Sequence, residues 1–416
     1  MTTRTRPSFA LVLTALLLLA VNLRLAVTSA SALLTLLVGD GALTPSTAML
    51  VPALPTAMFA LAGLFTPWLA ARIGAGSAVS WGVSALAAGM LLRIVPSPVA
   101  VVAGTVIATA GLAVVNILLP ALVRATAGGR VGAVTTAYTT VMSLGAAAAA
   151  AAAVPVAHAF GSASLGLGAW AVPAVLAVVV WTVVARRAGV DAAIPAPPKA
   201  ERGPLPGGTW ALTAFFALQA LSSYVIMGWL PTIAIDAGIA ETRAGVLLGL
   251  AMALGIPATV VIVALSRTAA RLRVGVLIVG LASAAGMIGF WVAPAAAPEL
   301  WAVLLGIGMC AFPLVLALIA RIGDGPSDSA RVSAVAQGVG YAVATVGPLG
   351  AGAWHGAGGS WGFVLALLLV GAIAQCVIGL VLARTSHASS AAGSAAEDAA
   401  VEAELTGAAP RPVSAP

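Results

Sequence analysis

Twelve apolar runs divide this 416-residue chain, and each is long enough as a helix to cross a hydrocarbon layer about 30 Å thick. They read at 9–37, 46–71, 78–95, 98–123, 131–159 and 165–185, and again at 209–235, 242–266, 274–293, 299–321, 331–355 and 360–383. In lipid a backbone must satisfy its own hydrogen bonds, so runs of this length are expected as helices. Composition agrees. Hydrophobic residues make up 61% of the chain and charged residues 7%, where a soluble domain carries about a quarter charged. The expected fold class is an all-α membrane protein with twelve transmembrane helices in two six-helix halves. Residues 1–185 make the N-terminal half and 186–208 a polar, proline-rich cytoplasmic linker. Residues 209–383 make the C-terminal half, and 384–416 a cytoplasmic tail whose Ala/Ser/Pro-rich composition predicts disorder. Arg4 and Arg6 precede the first run as in a signal peptide, but the run is too long for one and reads as an uncleaved first span.

Basic residues set the orientation. With the N-terminus inside, sixteen of the nineteen Lys and Arg fall in inner segments, and only Arg93 and Arg243 fall outside. The remaining one, Arg24, lies inside the first run. Both termini are therefore expected in the cytoplasm of a prokaryotic cell, with the chain in its inner (plasma) membrane.

The halves also repeat. Residues 111–124 align without gaps on 308–321, from Gly111 to Arg124 and from Gly308 to Arg321. The next spans then open with Arg130-Val131 and Arg331-Val332. A parallel repeat of six helices is the pattern of a secondary transporter built around a midplane site.

Arg24 is the residue most out of place. It lies about 22 Å along a helix from Phe9, at 1.5 Å per residue, and a charge so deep costs roughly 2.5–3.5 kcal/mol. No Asp or Glu lies in the core of any run to neutralise it. Either it contacts backbone carbonyls for a structural role, or it faces water and an anionic ligand. Polar stripes at helical spacing accompany it: Arg24, Thr28 and Ser31 in span one, Asn116 in span four, Thr136 with Tyr138 beside it in span five, Gln219 and Ser223 in span seven, Gln337 and Tyr341 in span eleven. Spans three, six, nine and twelve carry almost none and are expected outermost. These hydroxyls and amides either line a cavity or back-bond and pack helices. Asn22, about 200° from Arg24 around the helix, is expected to support a neighbouring helix.

Several functions are excluded. Lys199 is the only lysine and lies in the linker, so no phosphate-binding Walker loop exists. Gly358-Gly359-Ser360-Trp361-Gly362 matches a nucleophile pattern but sits at a loop between spans, so no enzyme activity is expected. Basic residues are scattered, which argues against nucleic acid. Cys310 and Cys376 lie within spans as reduced packing residues. No metal and no cofactor is expected. His158 and His355 end corresponding spans, as a paired pH sensor or by coincidence.

The arrangement resembles the major facilitator superfamily. More narrowly, it resembles the cyanate permease / 2-nitroimidazole transporter family through Asn22-Leu23-Arg24, Asn116 to Pro120 and Tyr138 to Gly145. The resemblance implies a secondary active transporter, a monomer in the bilayer, that moves a small anion or small polar heteroaromatic by alternating access, with proton coupling left open. Two features depart from the superfamily's usual pattern. The loop after span two reads Pro67 to Gly76 without its acid, and the Gly-Pro element expected in span five of drug antiporters appears instead as Gly347-Pro348 in span eleven. The alternatives are a multidrug or metabolite efflux protein of the same superfamily, and, of another class, a non-transporting receptor or scaffold.

Overall fold

The structure, a computed structural model, describes residues 8–188, 203–266, 268–322 and 326–406, with side chains as far as Arg384. Twelve helices are long and apolar enough to cross a membrane: α1 Phe9–Ala32, α2 Leu54–Ile73, α3 Ala75–Leu92, α4 Pro98–Thr126, α5 Gly128–Phe160, α6 Ala163–Arg187, α7 Thr209–Asp236, α8 Glu241–Leu265, α9 Ala269–Val292, α10 Pro298–Ile319, α11 Arg331–Gly356 and α12 Trp361–Arg384. Among the described residues there is no strand. The twelve runs read from sequence are these twelve helices. The helix of α12 continues to Thr406, so the tail expected as disordered is helical that far. Its alanines and glutamates are strong helix formers, and helix propensity outweighed the polar composition there. Most of the central linker, 189–202, lies outside the described residues.

Local signals place the ends. Ser8, Ser97, Ser162 and Thr268 each accept from a backbone N–H in the first turn of the helix that follows, as capping residues do. Gly74 joins α2 to α3 as a single residue at φ 84°, a conformation that needs glycine.

In lipid, helices associate through close packing rather than through the hydrophobic effect. Within the N-terminal half, α3 and α4 meet at Gly82, Gly89, Gly104 and Gly111, where any Cβ would strike the facing backbone. The repeat is visible in three dimensions. Gly111 packs on α3 at Gly82, and its counterpart Gly308 packs on α9 at Ser283. As expected, α3, α6, α9 and α12 pack within their own halves, while α1, α2 and α5 meet α7, α11 and α8 across the molecule.

The halves close at one face and part at the other. On the face away from the linker, Gly228 of α7 accommodates Pro52, and Gly352 of α11 accommodates Met49. Gly245 and Gly249 of α8 lie so close to α5 that a Cβ would sit 2.7 Å from the Ala150 carbonyl and 2.8 Å from that of Ala147. Toward the linker face, nothing lies within 4 Å of a Cβ at Gly132 or Gly338, Thr136 and Phe312 are exposed, and α4 and α10 are not packed against one another. The cleft between the halves opens to that face.

Candidate functional site at the junction of the halves

Three polar links fix α1 around Arg24. Asn22 Nδ2 donates to Pro173 O of α6 at 3.1 Å. Thr28 Oγ1 donates to Ala146 O of α5 at 3.0 Å. Arg93 Nη1, from the end of α3, donates to Ala26 O at 2.9 Å. Each such link is worth about 0.6 kcal/mol in a membrane, and together they hold residues 22, 26 and 28 against the rest of the N-terminal half. Arg24 itself reaches the other way, to α7 of the C-terminal half.

There the guanidinium is half-buried and, among the described residues, meets no carboxylate. Among the described residues its sole hydrogen-bond contact is the Met227 sulfur of α7, 3.7 Å from Nη1, a weak acceptor. Tyr224 lies one helical turn before Met227 on the same face of α7. Tyr341 stacks on Phe59 of α2 with ring centroids 5.2 Å apart and meets Tyr224 edge-on at 6.2 Å. Phe216 closes the group edge-on to Tyr341 at 5.2 Å. Neither tyrosine hydroxyl has a hydrogen-bond partner among the described residues. The junction therefore offers one unpaired cation, two free phenols and aromatic faces, an arrangement suited to a flat or anionic molecule.

The other sequence candidates fall elsewhere. Asn116 is half-buried in α4 with no hydrogen bond among the described residues. Ser31 donates to Val27 O at 3.1 Å and is buried. Thr136 is exposed in the cleft-side half of α5 and donates to Gly132 O at 3.1 Å. Tyr138 is half-buried in α5. Gln337 Nε2 donates to Ser333 Oγ at 2.7 Å. Gln219 and Ser223 are together, but inside the C-terminal half. Gln219 Nε2 donates to Ser223 Oγ at 2.9 Å and to Met309 O at 3.1 Å, and Gln375 Nε2 of α12 donates to Gln219 Oε1 at 2.7 Å. Pro313, four residues on, has no N–H with which to give Met309 O an α-helical hydrogen bond. The helix of α10 accordingly breaks into a 3-10 turn at Met309–Ala311.

One expectation needs correction. Arg93 was read as an outer-loop charge, yet it is 0% exposed, with Nε and Nη2 unpaired. It ends α3 beside apolar Ile94 and Val95, so no water-facing loop draws it out, and its long side chain turns inward to α1. Phe59 and Met227 are apolar and carried no polar signal; only contact across the halves marks them. At the far face, His355 Nε2 lies 3.3 Å from Asp236 Oδ2, which also accepts from Trp361 Nε1 at 2.7 Å. His158 is exposed and has no such partner among the described residues, so the two histidines are not equivalent. Both cysteines are free.

The sequence profile of the Major Facilitator Superfamily matches residues 11–348. The chain belongs to the Major Facilitator Superfamily. Within the superfamily it is 30% identical over 376 residues to the 2-nitroimidazole transporter of Escherichia coli (strain K12), covering 89% of this chain and 94% of that protein. It is 26% identical over 376 residues to the cyanate transport protein CynX of the same organism, covering 88% and 94%. Solved superfamily structures share the fold. A peptide transporter POT variant in complex with alafosfalin gives a TM-score of 0.71 at 17% identity, covering 89% of this chain and 95% of that one. A bacterial homologue of the lysosomal transporter Spinster, inward-facing and occupied, gives 0.70 at 17% identity, covering 93% and 97%. The molecule is a multi-pass membrane transporter.

Proposed function

We propose that this transporter moves a small anion or a small planar heteroaromatic bearing an electron-rich group, of the cyanate or nitroimidazole kind, across a prokaryotic plasma membrane by alternating access, without catalysing a reaction. The observation that carries the reading is the Arg24 guanidinium, without a carboxylate partner among the described residues, against the Met227 face of α7 that also bears Tyr224, with the Tyr341 and Phe59 rings packed on Tyr224. A guanidinium grips a carboxylate-like or nitro group through two parallel hydrogen bonds, and the rings stack on a flat π system. The two relatives of named substrate act on molecules that fit this description by their printed names.

Uptake of labelled 2-nitroimidazole and cyanate into vesicles containing the purified protein tests it. Arg24→Ala is expected to raise KM about ten- to a hundredfold, the worth of a charge-assisted hydrogen bond of roughly 1.5–3 kcal/mol. Arg24→Lys recovers little, because an ammonium lacks the planar fork. Phe59→Leu is expected to weaken the heteroaromatic substrate and leave cyanate unchanged. Equal uptake by wild type and Arg24→Ala at equal folded protein overturns the assignment.

A further inference from the structure

At the face away from the linker, the ends of α7 and α11 meet the start of α12 in a cluster remote from Arg24. Asp236, the last residue of α7, accepts from Trp361 Nε1 of α12 at 2.7 Å. His355, in the last turn of α11, brings Nε2 to 3.3 Å from the same carboxylate oxygen. Its ring stacks on Trp361, with centroids 4.3 Å apart and planes 23° apart. Trp361 packs in turn on Trp229 of α7 at 5.4 Å, and Trp229 Nε1 donates to Pro348 O of α11 at 2.9 Å. The His355 and Asp236 side chains are 36% and 39% exposed, so water on this face reaches both. The same two helices carry the closed face. Gly228 of α7 receives Pro52, and Gly352, one turn before His355, receives Met49 and the Trp229 ring. Both approaches are too tight for a Cβ, so the closed contact depends on how far apart the ends of α7 and α11 stand.

We infer that the His355–Asp236 pair is a proton-binding site, and that protonation of His355 holds this face closed. Three neighbours favour the imidazolium. The Asp236 carboxylate faces it at ion-pair distance, the Trp361 ring lies against it as a cation–π partner, and the C-terminal end of α11 turns its carbonyl dipoles toward it. The charges on the other elements packed against α11 stand at the linker face: Arg72 on α2, Arg321 just past α10 and Arg384 on α12, as do Asp328 and Arg331 at the start of α11 itself. The short helix Pro45–Ala48, which also touches α11, carries no charge, and Glu299 at the start of α10 is paired with Arg243. Asp236 is thus the charged group that faces His355. A charged His355 draws the ends of α7 and α11 together, and that spacing seats Met49 and Pro52. Opening this face has to spread the same ends. A bound proton therefore favours the state whose cleft opens toward the linker, and by reciprocity that state binds the proton more tightly. The hold is present in acid and lost as pH rises through the range in which histidine gives up its charge. It depends neither on Arg24 nor on which substrate is carried.

Thiol labelling of the purified full chain in lipid nanodiscs, without substrate and from about pH 8 down to about pH 5.5, decides it. Val51→Cys, buried beside Pro52 while this face is closed, reports opening. Ala296→Cys, exposed between α9 and α10, is the reference that cancels the pH dependence of the thiol itself. The ratio of the two labelling rates, over the background of Cys310 and Cys376, is expected to fall about two- to fivefold in acid, the shift that a partly exposed ion pair supplies. His355→Gln and Asp236→Asn, each added to both cysteine variants, are expected to make the ratio independent of pH. His158→Gln, exposed on the other half, is expected to leave the fall intact. A ratio that is flat or rises in acid overturns the site, as does a fall that survives His355→Gln or Asp236→Asn; should one of these fail to fold, the other decides alone. A fall abolished by His158→Gln places the proton on the other half and overturns it as well.

Discussion

Two arginines lie within this transporter, and their surroundings give them different physical lives. Arg24 is half-buried at the junction of the halves, with the Met227 sulfur as its one hydrogen-bond contact among the described residues. Arg93 is sealed between α1, α3 and α4, with one hydrogen bond to Ala26 O and two unpaired donor atoms. A buried charge lacking a partner is expensive, and well-packed apolar replacements of such charges are often neutral or stabilising by about 1–4 kcal/mol. Arg93→Met is therefore expected to fold with a Tm at or above the wild-type value by thermal unfolding. A clear fall in Tm would mean that the link to α1 outweighs the desolvation. Arg24 was legible in the sequence because its depth followed from counting residues along one helix. Arg93 was not, because whether a residue at a helix end turns out to water or in to a neighbour depends on what the neighbouring helix presents.

At the scale of helices, the contact between α5 and α8 decides how the closed face holds. The alanine run of α5 brings its backbone within reach of Gly245 and Gly249, and the facing atoms are carbonyl oxygens that cannot rotate away. Gly249→Ala is expected to lower Tm and transport together, although alanine is the better helix former by about 1 kcal/mol. Gly338→Ala, where nothing lies within 4 Å, serves as the comparison and is expected to hold or raise Tm. Thermal unfolding of the two variants side by side separates packing from propensity: equal responses would remove the close approach as the cause. The break in α10 belongs to this scale too. Pro313 was visible in the sequence, but its aligned counterpart Asn116 lies in an unbroken α4, and no sequence signal says that the Met309 carbonyl at the break meets Gln219.

For the whole molecule, the expected orientation rests on charge. With Arg93 buried, Arg243 is the one basic residue left to the face away from the linker, where it pairs with Glu299 at 2.6 Å. Single cysteines placed at Lys199 and Ser386 are expected to be protected from an impermeant thiol reagent in intact cells, and one at Gly41 to react. Labelling at Lys199 from outside would reverse the assignment. In the expected orientation the cleft opens to the cytoplasm, and Thr136→Cys, exposed in that cleft, is protected in intact cells and reacts in inverted vesicles.

Sequence alone determined the number of spans, the two-fold repeat, the outer placement of α3, α6, α9 and α12 and the anomaly of Arg24. Each of these depends on local hydrophobicity or helical spacing, which the chain carries residue by residue. Tertiary structure decided which polar groups share a site. Gln219 and Ser223 stood on a stripe like that of Tyr341, yet Gln219 meets the α10 break while Tyr341 packs on Phe59 of α2 across the halves. Phe59 and Met227, silent in any polarity pattern, complete the junction. The reason is geometric: a helix fixes which residues share a face, but the direction of that face is set by packing against helices more than a hundred residues away.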